Sequence, residues 1–375
     1  MQLVDAYTVR TVPGRKSDVL DCQWLRKLHA CGLLKGCFLP NDHTAALRSL
    51  YRMRQTLRSS QQDWIRRIQK QLDLMNVRVH RAVSDITGVT GMAILRAIVA
   101  GERDPAVLAS LRDRRCRKSL EDIERELTGD WREEHLQNLE IALASYDHFA
   151  ALIGRTDQNI TRKLEAIRVL REAVGEPVAA SADPHPCVEK GKRMIKRAEE
   201  PMRQALARTF GIDLTLLEAI SSETAACVFM ELGPDIAERF PTERQFLSHQ
   251  RLAPGLAVSG GRRLRGKKSK RRRLRCPPLK RILMNSASTL RNSNTTLGDY
   301  FRKVSYRKGS GVATFATARK LAQRIYRALK FGVEHVLEGE QHWHEGDTQR
   351  RLNRLKRQAA QLGRQLSPIT LPETS

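Results

Sequence analysis

Aromatic residues are scarce in this 375-residue chain, at 5% of its positions. A surface of stacked aromatic rings is therefore not expected as the main means of holding a nucleic-acid single strand. None of the seven cysteines (Cys22, Cys31, Cys37, Cys116, Cys187, Cys227, Cys276) forms a C-x-x-C pair. A zinc ribbon or disulfide framework is not expected, and a reducing cytoplasm fits the thiols. His342-Trp343-His344 has no second ligand pair and reads as surface histidines. No run of about eighteen apolar residues occurs, so no membrane span is expected, and Met1 to Pro13 lacks the apolar core of a signal peptide. Acid is missing as well: neither Asp nor Glu occurs between Glu243 and Asp299.

What fills that gap is cation. Lys and Arg number 67 against 41 acids, giving a formal charge of +26 and a pI near 10.4. Basicity of that size points to a nucleic acid held through its phosphates, with a basic solvated surface as the plainer alternative. The densest stretch follows Ser259-Gly260-Gly261: Arg262, Arg263, Arg265, Lys267, Lys268, Lys270, Arg271, Arg272, Arg273, Arg275, Lys280 and Arg281. Such a block repels itself and cannot be buried, so it meets a polyanion or remains a solvated loop. Ser259, at its edge beside two glycines, stands where a nucleophile facing a phosphodiester would stand; Ser-Gly-Gly is also an ordinary turn.

Along the chain, Met1 to Arg10 reads as a strand, broken at Pro13-Gly14. Ser17 or Asp18 caps a helix carrying Val19, Leu20, Trp24, Leu25 and Leu28. Asp18 and Asp21 share one face of its first turn; they can hold Mg²⁺ against a phosphate oxygen, or simply complement the helix dipole. Thr44 to about His80 is a long helix with an arginine-rich outer face. Asp85 to Gly91 connects it to an apolar helix, Met92 to Ala100, stopped at Gly101, and Ser119 with Asp122 opens another. From Leu136 a heptad seam runs through Leu139, Leu143, Tyr146, Ala150, Ile153, Asp157, Ile160, Leu164, Ile167 and Arg171 to Val174. It implies a coiled coil and a homodimer, or a long helix packed within its own domain. Gly175 to Pro186 reads as a linker and Cys187 to Thr209 as a basic helix. Gly211 to Gly233 reads as helix, turn and helix, resembling a helix-hairpin-helix whose turn, Ala219 to Ser222, lacks the usual glycine. Helices are expected over Leu279 to Leu290 and Ala316 to Phe331, with a basic helical tail bearing Leu352, Leu355, Ala359, Leu362 and Leu366.

Three stretches taken together resemble one family: Gly14 to Leu34, Leu111 to Leu136, and the segment from LEAISSETAACVFMELG through LAPGLAVSGG to ATARKLAQRIYRALKFG. The chain is similar to insertion-sequence transposases of the IS one-ten family, in its IS eleven-eleven branch, and to Piv-type DNA invertases. The resemblance implies an RNase H or RuvC-like domain with four metal-binding acids, a coiled-coil segment, and a C-terminal domain with a nucleophilic serine. On that likeness Asp18 and Asp21 match the last two acids and Ser259 the serine. The partners implied are DNA, an element-encoded guide RNA and a second copy of the chain; the cofactor is Mg²⁺ and the setting the bacterial cytoplasm, at the nucleoid. The family's first two acids precede the strand matching Gln2 to Arg10, so an N-terminally truncated copy is expected, with a weak or absent metal site; the alternative to a working recombinase is a catalytically inactive nucleic-acid-binding remnant that dimerises by coiled coil.

The expected fold is mostly α, with a remnant of an RNase H/RuvC-like α/β domain at 1–43. A helical and coiled-coil region follows at 44–174, then a linker at 175–186. A helical transposase domain with a helix-hairpin-helix-like element is expected at 187–340, and a basic helical tail at 341–375.

Overall fold

The computed structural model describes residues 4, 21–34, 42–83, 85–114, 116, 118–175, 200–233, 236–253, 258–259, 262–263 and 276–365. These residues are mostly α-helical and divide into two compact units, one of residues 47–211 and one joining residues 1–46 to 212–375. Of the expected opening strand only Val4 is described, as an isolated bridge residue, and the rest of that strand lies outside the described residues.

The 47–211 unit is built on two long helices. Helix α2 (Asp42–Leu74) contains neither glycine nor proline, and α7 (Glu133–Ala173) has only Gly154. Their contacts run in opposite senses. Arg54 pairs with Asp157, the Gln61 side-chain amide donates to the Tyr146 carbonyl at 3.5 Å, and the Asp130 amide donates to the Met75 carbonyl at 2.8 Å. The helices are therefore antiparallel. On α7, Leu139, Leu143, Ile160 and Leu164 are all buried within this chain. The seam thus faces its own unit, which is the second of the two arrangements expected from the heptads. Asp157, polar in an apolar row, meets Arg54 at the matching place on α2, a pairing that fixes the register of the two helices.

Short helices close the far end of the pair: α3 (Val79–Ala82), α4 (Val89–Val99), α5 (Pro105–Ser110) and α6 (Leu120–Leu127). Each begins where the local chemistry allows. Asp104 caps α5 ahead of Pro105, and Ser119 caps α6 by accepting from the Asp122 amide. Gly91 is required by packing, since a Cβ there would lie 2.3 Å from the Ile86 carbonyl oxygen. Ile68, Leu72, Ile94, Ile98, Ile123 and Leu139 bury together in the resulting core. Helix α8 (Glu200–Phe210) packs on α7, with the Thr209 hydroxyl near the Leu164 carbonyl at 3.3 Å. Residues 200–210, expected in the C-terminal domain, thus belong with the long helices, while the expected linker at 175–186 lies outside the described residues.

In the other unit, the described part of the first expected helix is α1 (Asp21–Ala30), which buries Leu28. The expected helix-turn-helix over Gly211 to Gly233 forms only its second helix, α9 (Ser222–Leu232). Its first half is a single 3₁₀ turn, Leu214–Leu216, because the Asp213 carboxylate takes the Thr215 amide at 2.9 Å and its hydroxyl at 2.6 Å. That side-chain turn competes with helix. Ala219 then adopts a left-handed φ of 59°, a conformation favouring glycine, and turns the chain into the Ser221 cap of α9. Apolar almost all round, α9 is buried on nearly every face, and Gly233 stops it at φ 82°.

Beyond it come α10 (Ile236–Arg239), α11 (Glu243–His249) and a two-residue antiparallel pair, β1 (Val258–Ser259) with β2 (Arg262–Arg263). Then follow α12 (Pro278–Thr289), α13 (Thr296–Lys308), α14 (Ser310–Phe331) and α15 (Val333–Gln361). Helix α14 is the axis on which α10, α11, α12, α13 and α15 pack. Its buried Ala313, Ala318, Ala322 and Ala328 allow close approach, and Leu321 and Ile325 fill the space between. Pro278 starts α12, since the first helical position needs no amide proton. The tail expected from 341 is the continuation of α15, which starts at Val333, and its Leu352 and Leu355 are exposed.

Candidate nucleic-acid interface

The acid-free stretch enters from α11 and leaves through α12. At its entry, Ser259 pairs with Arg262 and Val258 with Arg263, so only Gly260-Gly261 separates the two short strands. The candidate nucleophile is thereby placed at the end of β1, across from the first cation of the run. Arg265, Lys267, Lys268, Lys270, Arg271, Arg272, Arg273 and Arg275 lie outside the described residues. At the exit, Lys280 sits in the first turn of α12, donating to the Arg251 carbonyl at 3.2 Å with its ammonium 5.2 Å from the Phe315 ring. Arg281 is exposed beside it.

Two acids upstream of this stretch reach α14. Glu243 opens α11 and reaches α14, accepting from Arg327 at 2.9 Å and from Gln323. Glu218 meets Arg324 at 3.0 Å, both largely buried. The Tyr326 hydroxyl donates to the Phe240 carbonyl at 2.6 Å, and Phe246 stacks on Tyr326 with centroids 5.6 Å apart. Sequence reasoning passed over Glu218, Glu243, Arg324 and Arg327. Part of the signal was readable: Thr242-x-x-Gln245 is a capping box at the start of α11, and the structure forms it.

His249, at the end of α11, sits between Phe240 and the cations. Burial pushes its pKa down, and Arg239 and Arg251 push it further the same way. Helix α13 also carries exposed cations, Lys303, Arg307 and Lys308.

Residues 213–302, which hold Ser259 and the whole basic run, match the family model described as "Transposase IS116/IS110/IS902 family". Residues 213–302 are a transposase domain of that family. No curated protein and no solved structure matches the chain. The transposase domain implies DNA binding and a part in DNA transposition. Its borders fit the fold: it begins at the Asp213 turn, next to the unit boundary, and ends on α13 at Arg302.

The acids expected to hold Mg²⁺ are less fully placed. Asp21 is the first residue of α1, and Asp18 lies outside the described residues. Among the described residues, no group of three or more His, Cys, Asp or Glu side chains could hold a metal ion. No helix among the described residues is long and apolar enough to cross a membrane.

Proposed function

We propose that this protein is an insertion-sequence transposase that cuts and rejoins DNA strands with Ser259 as nucleophile. The supporting observation is the position of Ser259 at the end of β1, inside the transposase domain and opposite the first residue of the run Arg262 to Arg281. Cations along that run would displace counterions from the DNA backbone and concentrate phosphate beside the serine. In the reaction the serine Oγ forms a bond to phosphorus while the phosphorus bond to one sugar oxygen breaks. That sugar oxygen takes up the proton the serine released. Attack by a sugar hydroxyl of another strand reverses the step and frees the serine. One phosphodiester replaces another, so no external energy source is required.

The resemblance adds three elements to this proposal. Mg²⁺ at Asp18 and Asp21 would supply positive charge to the reacting phosphate. An element-encoded RNA would share the cationic run with DNA. A homodimer would have to form away from Leu139, Leu143, Ile160 and Leu164, which are buried within one chain.

The test is covalent trapping. Incubated with Mg²⁺ and a duplex carrying the ends of its own element, the parent protein should give a denaturant-stable protein–DNA adduct, and Ser259→Ala none. An adduct of equal yield in the variant would remove Ser259 from the mechanism.

A further inference from the structure

Tyr306 lies on α13 with 94% of its surface exposed, the most exposed of the large hydrophobic and aromatic residues described. Its surroundings are cationic. Lys303 stands three residues before it on the same helical face, while Arg307 follows it directly and Lys308 closes the helix. The acid-free character also runs on past the basic run: Asp299 is the sole acid between Glu243 and Glu334. It is taken up at the other end of α13, where Arg302 pairs with it and also donates to the Arg291 carbonyl at 3.1 Å and the Ser293 carbonyl at 2.6 Å. These bonds, with buried Leu297 and Phe301, hold α13 firmly while its last turn projects.

Lys280, in the first turn of α12, contacts Phe315, and Phe315 is about 7–8 Å along α14 from Ser310, where α13 hands over. The helix that ends the basic run, α12, and the helix that carries Tyr306 and its three cations, α13, thus pack on the same helix, α14. A single exposed aromatic is commonplace, but its setting here has the two parts that single strands require. Those are cations for phosphates and a flat face for a base.

We infer that the Tyr306 tip, with Lys303, Arg307 and Lys308, binds unpaired DNA by stacking one base on the tyrosine ring. This rests on the transposase reading, because strand exchange unpairs bases and makes single-stranded DNA an obligatory species. One ring is a single stacking point, consistent with the low aromatic content of the chain.

The test uses fluorescence anisotropy on the full-length protein with a labelled single-stranded DNA of about 20 nucleotides and the duplex of the same sequence. Tyr306→Ala should weaken single-strand binding by about 5- to 100-fold and duplex binding by less than about twofold. Tyr306→Phe should match the parent. Arg307→Gln with Lys308→Gln should reduce the salt slope on single strands by about 0.7 for each phosphate no longer neutralised. Unchanged single-strand affinity in Tyr306→Ala overturns the inference, as does equal loss on both DNA forms. Tighter binding of the RNA of the same sequence, with the same Tyr306 dependence, overturns the assignment to DNA. A Tyr306→Ala change in sedimenting mass without a change in affinity makes the tip a protein contact and also overturns it. A parent that binds neither DNA form removes the transposase reading itself; a parent that binds duplex normally while Tyr306→Ala is silent removes only this inference.

Discussion

Removing the carboxylate of Asp157, the guanidinium of Arg54, or both tests how the two long helices are held. Arg54 exposes 12% of its side chain and Asp157 33%, so the pair lies between a surface ion pair and a buried one. Surface pairs contribute about 0–1 kcal/mol, whereas breaking a buried pair costs about 3–5 kcal/mol. Asp157→Ala should therefore destabilise the 47–211 unit by about 2 kcal/mol, with a coupling of about 1–2 kcal/mol in the double-mutant cycle with Arg54→Ala. Urea melts followed by far-ultraviolet circular dichroism give the values, and the midpoint should not change with protein concentration. Effects that add within about 0.5 kcal/mol would mean the two groups do not meet. Midpoints that rise with concentration would place the α7 seam between chains rather than within one.

Three further outcomes rest on single positions. His249 has a folded pKa below its ordinary value of 6.5, through burial first and then Arg239 and Arg251. The unfolded chain therefore gains the proton first, and stability should fall as pH drops below about 6.5; His249→Gln should flatten that slope in thermal melts, and an unchanged slope would exclude this histidine as its source. Ala219→Gly should raise stability by roughly 0.5–1 kcal/mol and Ala219→Val lower it by about 1–2 kcal/mol, because Ala219 holds a left-handed φ of 59°. The opposite order in melting temperature would refute that conformation. Ile160→Ala, at a fully buried seam position, should cost about 2–5 kcal/mol, and a loss below about 1 kcal/mol would put Ile160 at the surface.

The features legible in the sequence were those set by near neighbours. Apolar spacing marked α2 and α7, and Ser119 and Gly233 marked a helix start and a helix stop. One reading failed where a side chain outweighed the pattern. Asp213 captured its own downstream amide and replaced a helix with one turn. Partners far apart in sequence left no local trace. Asp157 looks like a defect in a dimer seam until Arg54 is seen opposite it, and Glu218 and Glu243 give no hint of reaching α14. Within the candidate site, the cationic run was visible because charge is a property of composition. The exposure of Tyr306 was not, because only the packing of α13 determines which of its faces is left in water.

DNA is expected to meet the acid-free segment, and the salt dependence of duplex binding measures that meeting most directly. The logarithm of affinity should fall steeply and linearly with the logarithm of salt concentration. Replacing Arg271, Arg272 and Arg273 by alanine should shallow that slope by about 0.9 for each phosphate no longer neutralised. A flat salt response in the parent, or a slope unchanged in the triple variant, would contradict it.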